Sequence, residues 1–295
     1  MNNIFQNTNA YWVRFSEYEY RQDEDGILYL MPVPNAKPAV YDPMKDADAL
    51  VIDALNVGRL AMKRGDEGEL KQEILRFVTK YGLLGFLTAL PTTVDFVVYD
   101  AVYLPKNHYI KEETLSTQEY LSYFFPFKKP DIHKSKHKAQ WNVSEDNSGD
   151  RMMQALAMTF ANEPMAMGMI LQRIYAERYD WLVTQFRDWA SMLVSTFLYY
   201  EDKDYIDDVT REIYLQAVSA FRAKAPTYRI KLYDDKPAIV WDFYSLLVTI
   251  QTLFGFALAD ETRPLRVCRY CNQAFIARSA NAGFCSPECD KKSGK

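Results

Sequence analysis

Val267-Cys268-Arg269-Tyr270-Cys271 and Phe284-Cys285-Ser286-Pro287-Glu288-Cys289 are the stretches whose reading decides what the C-terminus of this chain is. They hold all four cysteines of a 295-residue sequence, as two close pairs separated by thirteen residues. Two such pairs across a short loop have the spacing of a four-thiolate metal site. Cys285 and Cys289 are four apart, so a helical turn puts both sulfurs on one face. Ser286 and Pro287 suit the N-cap and first position of that turn. Cys268 and Cys271 form the opposing knuckle. Residues 273–276 are expected to pair with Phe284 as a small hairpin, turned by residues 279–283, with Phe275 and Phe284 as its core.

Four thiolates close the coordination shell and leave no position for water or substrate, so Cys268, Cys271, Cys285 and Cys289 are expected to bind a structural Zn2+. Iron accepts the same ligands. Two disulfides are the alternative, but one terminal cluster cannot staple so long a chain. A redox pair belongs inside a strand–helix unit rather than beside a matching second pair.

Outside these residues the chain reads as mainly α with a small β component, a helical body followed by a treble-clef or ribbon-like finger. The expected boundaries are 1–262 for the body and 263–295 for the finger. Eleven glycines argue against a turn-rich β architecture, and 48% apolar with 25% charged residues is ordinary for a soluble protein. Asp23-Glu24-Asp25-Gly26 reads as the turn of a hairpin spanning about 11–33. Residues 46–62 and 66–81 read as helices, the second stopped by Gly82. A strand-like run covers 94–104, and a basic, irregular loop covers about 106–149, with a short helix near 116–125. Helices are expected over about 150–260, in the segments 152–160, 165–200, 205–223 and 239–259, with one strand at 228–233 between the last two. Leu171, Ile174, Leu182, Phe186, Trp189, Leu193 and Phe197 carry the three-four apolar spacing. Residues 243–259 lack charge but include Ser245, Thr249, Gln251 and Thr252, so a buried helix is expected there, not a membrane span. No basic leader precedes an apolar run at the N-terminus, and a cytoplasmic location follows.

Seven basic and two acidic side chains between Arg263 and Lys295 give that segment +5 in a chain of net charge −4, leaving −9 on the remainder. Arg266, Arg269, Arg278, Lys291 and Lys292 are therefore candidate contacts for DNA or RNA, with Tyr270 among them. Lys128, Lys129, Lys134, Lys136 and Lys138 with Trp141 form a second candidate, balanced by the reading of a solvated loop. Six of the eleven methionines fall between residues 152 and 169, as core filler or as a groove for a protein partner or homodimer. Asp204, Asp208 and Glu212 share a helical face that could hold a divalent cation, although carboxylates also favour a helix start. No phosphate-binding glycine loop, H-E-x-x-H or G-x-S-x-G is present, and the three histidines, His108, His133 and His137, supply little for acid–base chemistry. No catalytic residue is assigned.

With these motifs, Cys268 to Cys271, Phe275, then Phe284-Cys285-Ser286 and Cys289, the chain resembles the CGNR-type zinc-finger proteins of bacteria. Those have a mostly helical N-terminal domain and a C-terminal metal finger. An apolar helix directly before the finger fits that layout, and Tyr81-Gly82-Leu83-Leu84-Gly85 looks like a segment of related bacterial proteins. The resemblance implies a stress-linked transcriptional regulator that contacts DNA through the finger. The family continues Cys-Gly-Asn-Arg, whereas this chain has Cys289-Asp290-Lys291-Lys292. The lysines replace the charge but not a bidentate base contact. Three readings follow: a regulator whose finger meets nucleic acid, an adaptor with a purely structural finger, and a metal-dependent hydrolase.

Overall fold

The computed structural model describes residues 7–63, 65–89, 101–103, 107–128, 172–202, 205–221, 223–233, 235–279 and 282–294. Of these, 45% are helical and 21% lie in strands, so the architecture is mixed α and β rather than mainly α. The strands gather first at the N-terminus. β1 (Thr8–Asn9) precedes β2 (Trp12–Phe15), β3 (Tyr18–Gln22), β4 (Leu28–Pro32) and β5 (Pro38–Tyr41). β3 and β4 form the expected hairpin, and the Asp23 carboxylate closes its turn by accepting from the backbone of Asp25 and Ile27 at 3.0 and 2.8 Å. The expected first strand is broken, however. β2 leaves the hairpin and pairs antiparallel with β5, bringing Trp12 opposite Tyr41.

Two helices follow near their expected bounds. α1 (Ala47–Met62) buries Leu50, Val51, Ala54, Leu55 and Val57, and α2 (Glu67–Tyr81) starts at Asp66, whose side chain accepts from Gly68 N. Gly82 ends α2 at φ +91°, a conformation that costs other residues energy. α3 (Phe86–Ala89), β6 (Ala101–Tyr103), β7 (Thr114–Ser116) and α4 (Thr117–Ser122) come next, with Ser116 capping α4.

The long central helix begins later than its periodicity suggests. Gln172 is helical, but residues 173–174 are a turn and Glu177–Arg178 form a two-residue strand, β8, which adds to β4; only then does α5 (Tyr179–Asp202) start. α6 (Asp208–Ser219) is capped by Asp207. Residues 239–242, expected as helix, belong to β10 (Lys236–Asp242), the partner of β9 (Thr227–Tyr233) in a full hairpin; β1 adds to β10 in parallel. Ser245 then caps α7 (Leu246–Ala259), which buries eight residues and serves as an internal helix. Among the described residues no helix is long and apolar enough to cross a membrane.

One apolar core joins these pieces, and its largest fully buried side chains are all aromatic, among them Trp12, Trp189, Tyr120, Tyr175, Phe77 and Phe186. Their burial, about 1.5–3 kcal/mol for a side chain of Phe size, explains why the aromatic content is high. α1 crosses α5 backbone to backbone at Gly58, where a Cβ would lie 1.9 Å from the Phe186 carbonyl oxygen. Gly58→Ala must push the helices apart and is expected to cost about 1–3 kcal/mol, read from urea unfolding. An unchanged midpoint would mean that the two helices separate without penalty.

Residues 83–86, just after the end of α2, form a structural junction. Trp12 Nε1 donates to Leu83 O at 2.8 Å, and Leu247 N donates to Leu84 O at 2.7 Å. Glu177, fully buried, accepts from Leu84 N at 2.8 Å, Gly85 N at 2.6 Å, Phe86 N at 3.0 Å and the Tyr175 hydroxyl at 2.6 Å. Burial pushes its carboxyl up, and those four donors oppose the shift without cancelling it.

Candidate metal centre

The finger is built on a hairpin different from the expected one. β11 (Leu265–Val267) pairs antiparallel with β12 (Ala274–Ile276), setting Leu265 opposite Ile276 and Val267 opposite Ala274. Phe284 is not part of it. The first cysteine pair lies in the connecting turn, held by Cys268 N to Gln273 O at 2.8 Å and Asn272 N to Cys268 O at 2.9 Å. Asn272 carries the left-handed conformation at φ +59°, and asparagine tolerates that region better than most residues. The second pair brackets the start of α8 (Pro287–Ser293). Ser286 Oγ accepts from Cys289 N at 3.3 Å, and Pro287 takes the first position as its fixed φ predicts. Arg269 N donates to Gly283 O at 3.0 Å and stitches the two halves together.

These elements bring all four sulfurs within 4.8 Å of one another. Cys271 to Cys285 and Cys285 to Cys289 are each 3.5 Å apart, and all four cysteines are free thiols. A tetrahedral site with metal–sulfur bonds of about 2.3 Å has edges of about 3.8 Å, so the donor set fits one ion. Behind it, Cys268 is fully buried with Phe275 and Ala277, against Ala282 and Phe284. Burial raises the Cys268 thiol, but backbone N–H groups of Cys271, Cys285 and Tyr270 outweigh it and hold the group at about 6. Cys285 moves the other way, pushed up by burial and by the neighbouring thiols Cys271, Cys289 and Cys268. Four sulfurs this close cannot all ionise beside one another without a cation between them.

The finger is seated on the body. Leu265, Val267 and Ala274 belong to the main core, together with Leu50, Ala54 and Leu193. Three polar residues of α1 at helical spacing reach the same unit. Asn56 Oδ1 accepts from Ala274 N at 2.7 Å, Arg59 Nε donates to Asn272 O, and Asp48 pairs with Arg263. Arg269, Tyr270, Arg278, Lys291 and Lys292 are exposed, whereas Arg266 on β11 is half-buried. On α8 the acidic Glu288 and Asp290 precede Lys291 and Lys292.

Other candidates fare differently. Asp208 and Glu212 are exposed on α6, where Glu212 accepts from Gln216 Nε2 at 3.1 Å, and Asp204 lies outside the described residues. Among the described residues, the four cysteines are the only group of three or more His, Cys, Asp or Glu placed to share an ion. The lysines beyond Lys128, the histidines 133 and 137, Trp141 and the methionines between 152 and 169 also lie outside the described residues. Sequence reasoning missed Asp48, Asn56, Arg59 and Glu177. The only signal for Glu177 was a lone carboxylate within Ile174-Tyr175-Ala176-Glu177. Compared with known proteins, the chain matches no family model, no curated protein and no solved structure.

Proposed function

We propose that the C-terminal unit is a structural zinc finger of treble-clef type, and that its outer face contacts nucleic acid on behalf of a regulatory body. Four converging thiolates favour a tetrahedral, redox-inert ion held for structure, because no position is open for chemistry. The observation that carries the nucleic-acid reading is the contrast in exposure within the finger: Leu265, Val267 and Ala274 are buried in the core, while Arg269, Arg278, Lys291 and Lys292 are exposed, as is Tyr270 at 47%. A basic face with an aromatic ring can meet phosphates and stack on a base. Docking of the hairpin on α1 favours a second reading, in which the finger is purely structural and the protein is an adaptor.

Binding of the zinc-loaded chain to double- and single-stranded oligonucleotides should weaken steeply with salt. Arg269→Ala, Arg278→Ala and Lys291→Ala should each weaken binding and reduce the slope of log K against log salt by roughly 1. Salt-independent or undetectable binding sinks this reading and leaves the adaptor.

A further inference from the structure

We infer that Arg59 belongs to the metal centre, as the cation through which the body offsets the negative charge of the four thiolates. The inference rests on the zinc reading. A divalent ion with four thiolates carries a net charge of −2, and such a cluster half-covered by protein needs positive charge nearby. Arg59 supplies it from the last turn of α1. Its Nε donates to the carbonyl of Asn272, the residue next to the ligand Cys271, inside the turn that sets the first cysteine pair. A second charged contact between body and finger, Asp48 with Arg263, lies at the far end of α1.

Two simpler roles would place an arginine here: a docking hydrogen bond, or a basic residue favoured by the end of a helix. Asn56 separates them. It lies on the same face of the same helix, less than one turn away, and bonds the same hairpin through Ala274 N without carrying charge.

The test is the rate at which the full-length zinc-loaded chain releases its metal to excess chelator. Arg59→Gln should accelerate release about ten-fold or more, the scale seen when partners of metal ligands are removed. Arg59→Lys should restore most of the difference, and Asn56→Ala should stay within about two-fold of wild type while lowering the melting temperature. Cobalt-loaded protein gives a second readout, since the sulfur-to-cobalt charge-transfer bands should shift in Arg59→Gln and not in Asn56→Ala. Equal effects of Arg59→Gln and Asn56→Ala, or none from Arg59→Gln, overturn the inference and leave zinc binding intact. A wild-type chain that binds no zinc overturns the zinc reading itself, and the two failures are told apart.

Discussion

On the zinc reading, stripping the metal with a chelator should lower the melting temperature of the whole body, not only of the last thirty residues. This follows from where β11 and β12 sit. Without an ion, the loop carrying Cys268 and Cys271 loses its tie to the helix start carrying Cys285 and Cys289, and zinc-finger units of this size do not fold unaided. The hairpin would then leave the surface of α1 and α5, uncovering Leu265, Val267 and Ala274 and breaking the bonds to Asn56 and Arg59. Two large apolar side chains, at about 1.5–3 kcal/mol each, with two hydrogen bonds of about 1 kcal/mol, put the loss on the order of 5 kcal/mol. For a chain this long, that is a fall of about 10 °C or more. Calorimetry before and after chelation measures it, and added zinc should reverse it. Cys268→Ser should reproduce most of the loss, since that side chain is fully buried, and Cys285→Ser, at an exposed ligand, should cost less. A body transition unmoved by chelation would mean the hairpin holds its seat without metal, and the coupling between finger and core would be wrong.

The cysteine cluster was legible because cysteine spacing is a local signal, and so were α2, with its Asp66 cap and Gly82 stop, and the β3–β4 turn. What stayed hidden was non-local. Residues 239–242 are apolar like the helix after them, and a short apolar run does not say which period it follows. Only the seven-residue register with β9 makes them a strand. β11 is three residues long and has no turn signal except the metal knuckle itself. The seat of the finger was invisible for a different reason: Asp48, Asn56 and Arg59 look like the solvent face of an amphipathic helix until another element covers them.

Glu177→Ala should be among the most damaging single changes in the molecule, at least about 4 kcal/mol by urea unfolding, with Glu177→Gln costing about 2–3 kcal/mol. In Ala, three backbone N–H groups and the Tyr175 hydroxyl lose their acceptor in a core from which water is excluded, and each buried donor left unmet costs about 1–3 kcal/mol. Gln keeps the shape and removes the charge. Its oxygen can take the place of Oε1 and keep Gly85, Phe86 and Tyr175, but its amide nitrogen must then face the N–H of Leu84, donor against donor. Tyr175→Phe removes one donor to Glu177 and the acceptor of Leu87 N at 3.3 Å, so it should cost less than Glu177→Ala. A cavity alone would also make Ala worse than wild type, so Gln is the decisive variant, and hydrogen exchange locates its effect. The amides of Leu84, Gly85 and Phe86 should lose protection well before those of α5. If Gln is within about 0.5 kcal/mol of wild type, the carboxylate is not what holds residues 84–86 between β8 and α7. The junction would then rest on packing by Trp12, Phe86 and Leu247 instead.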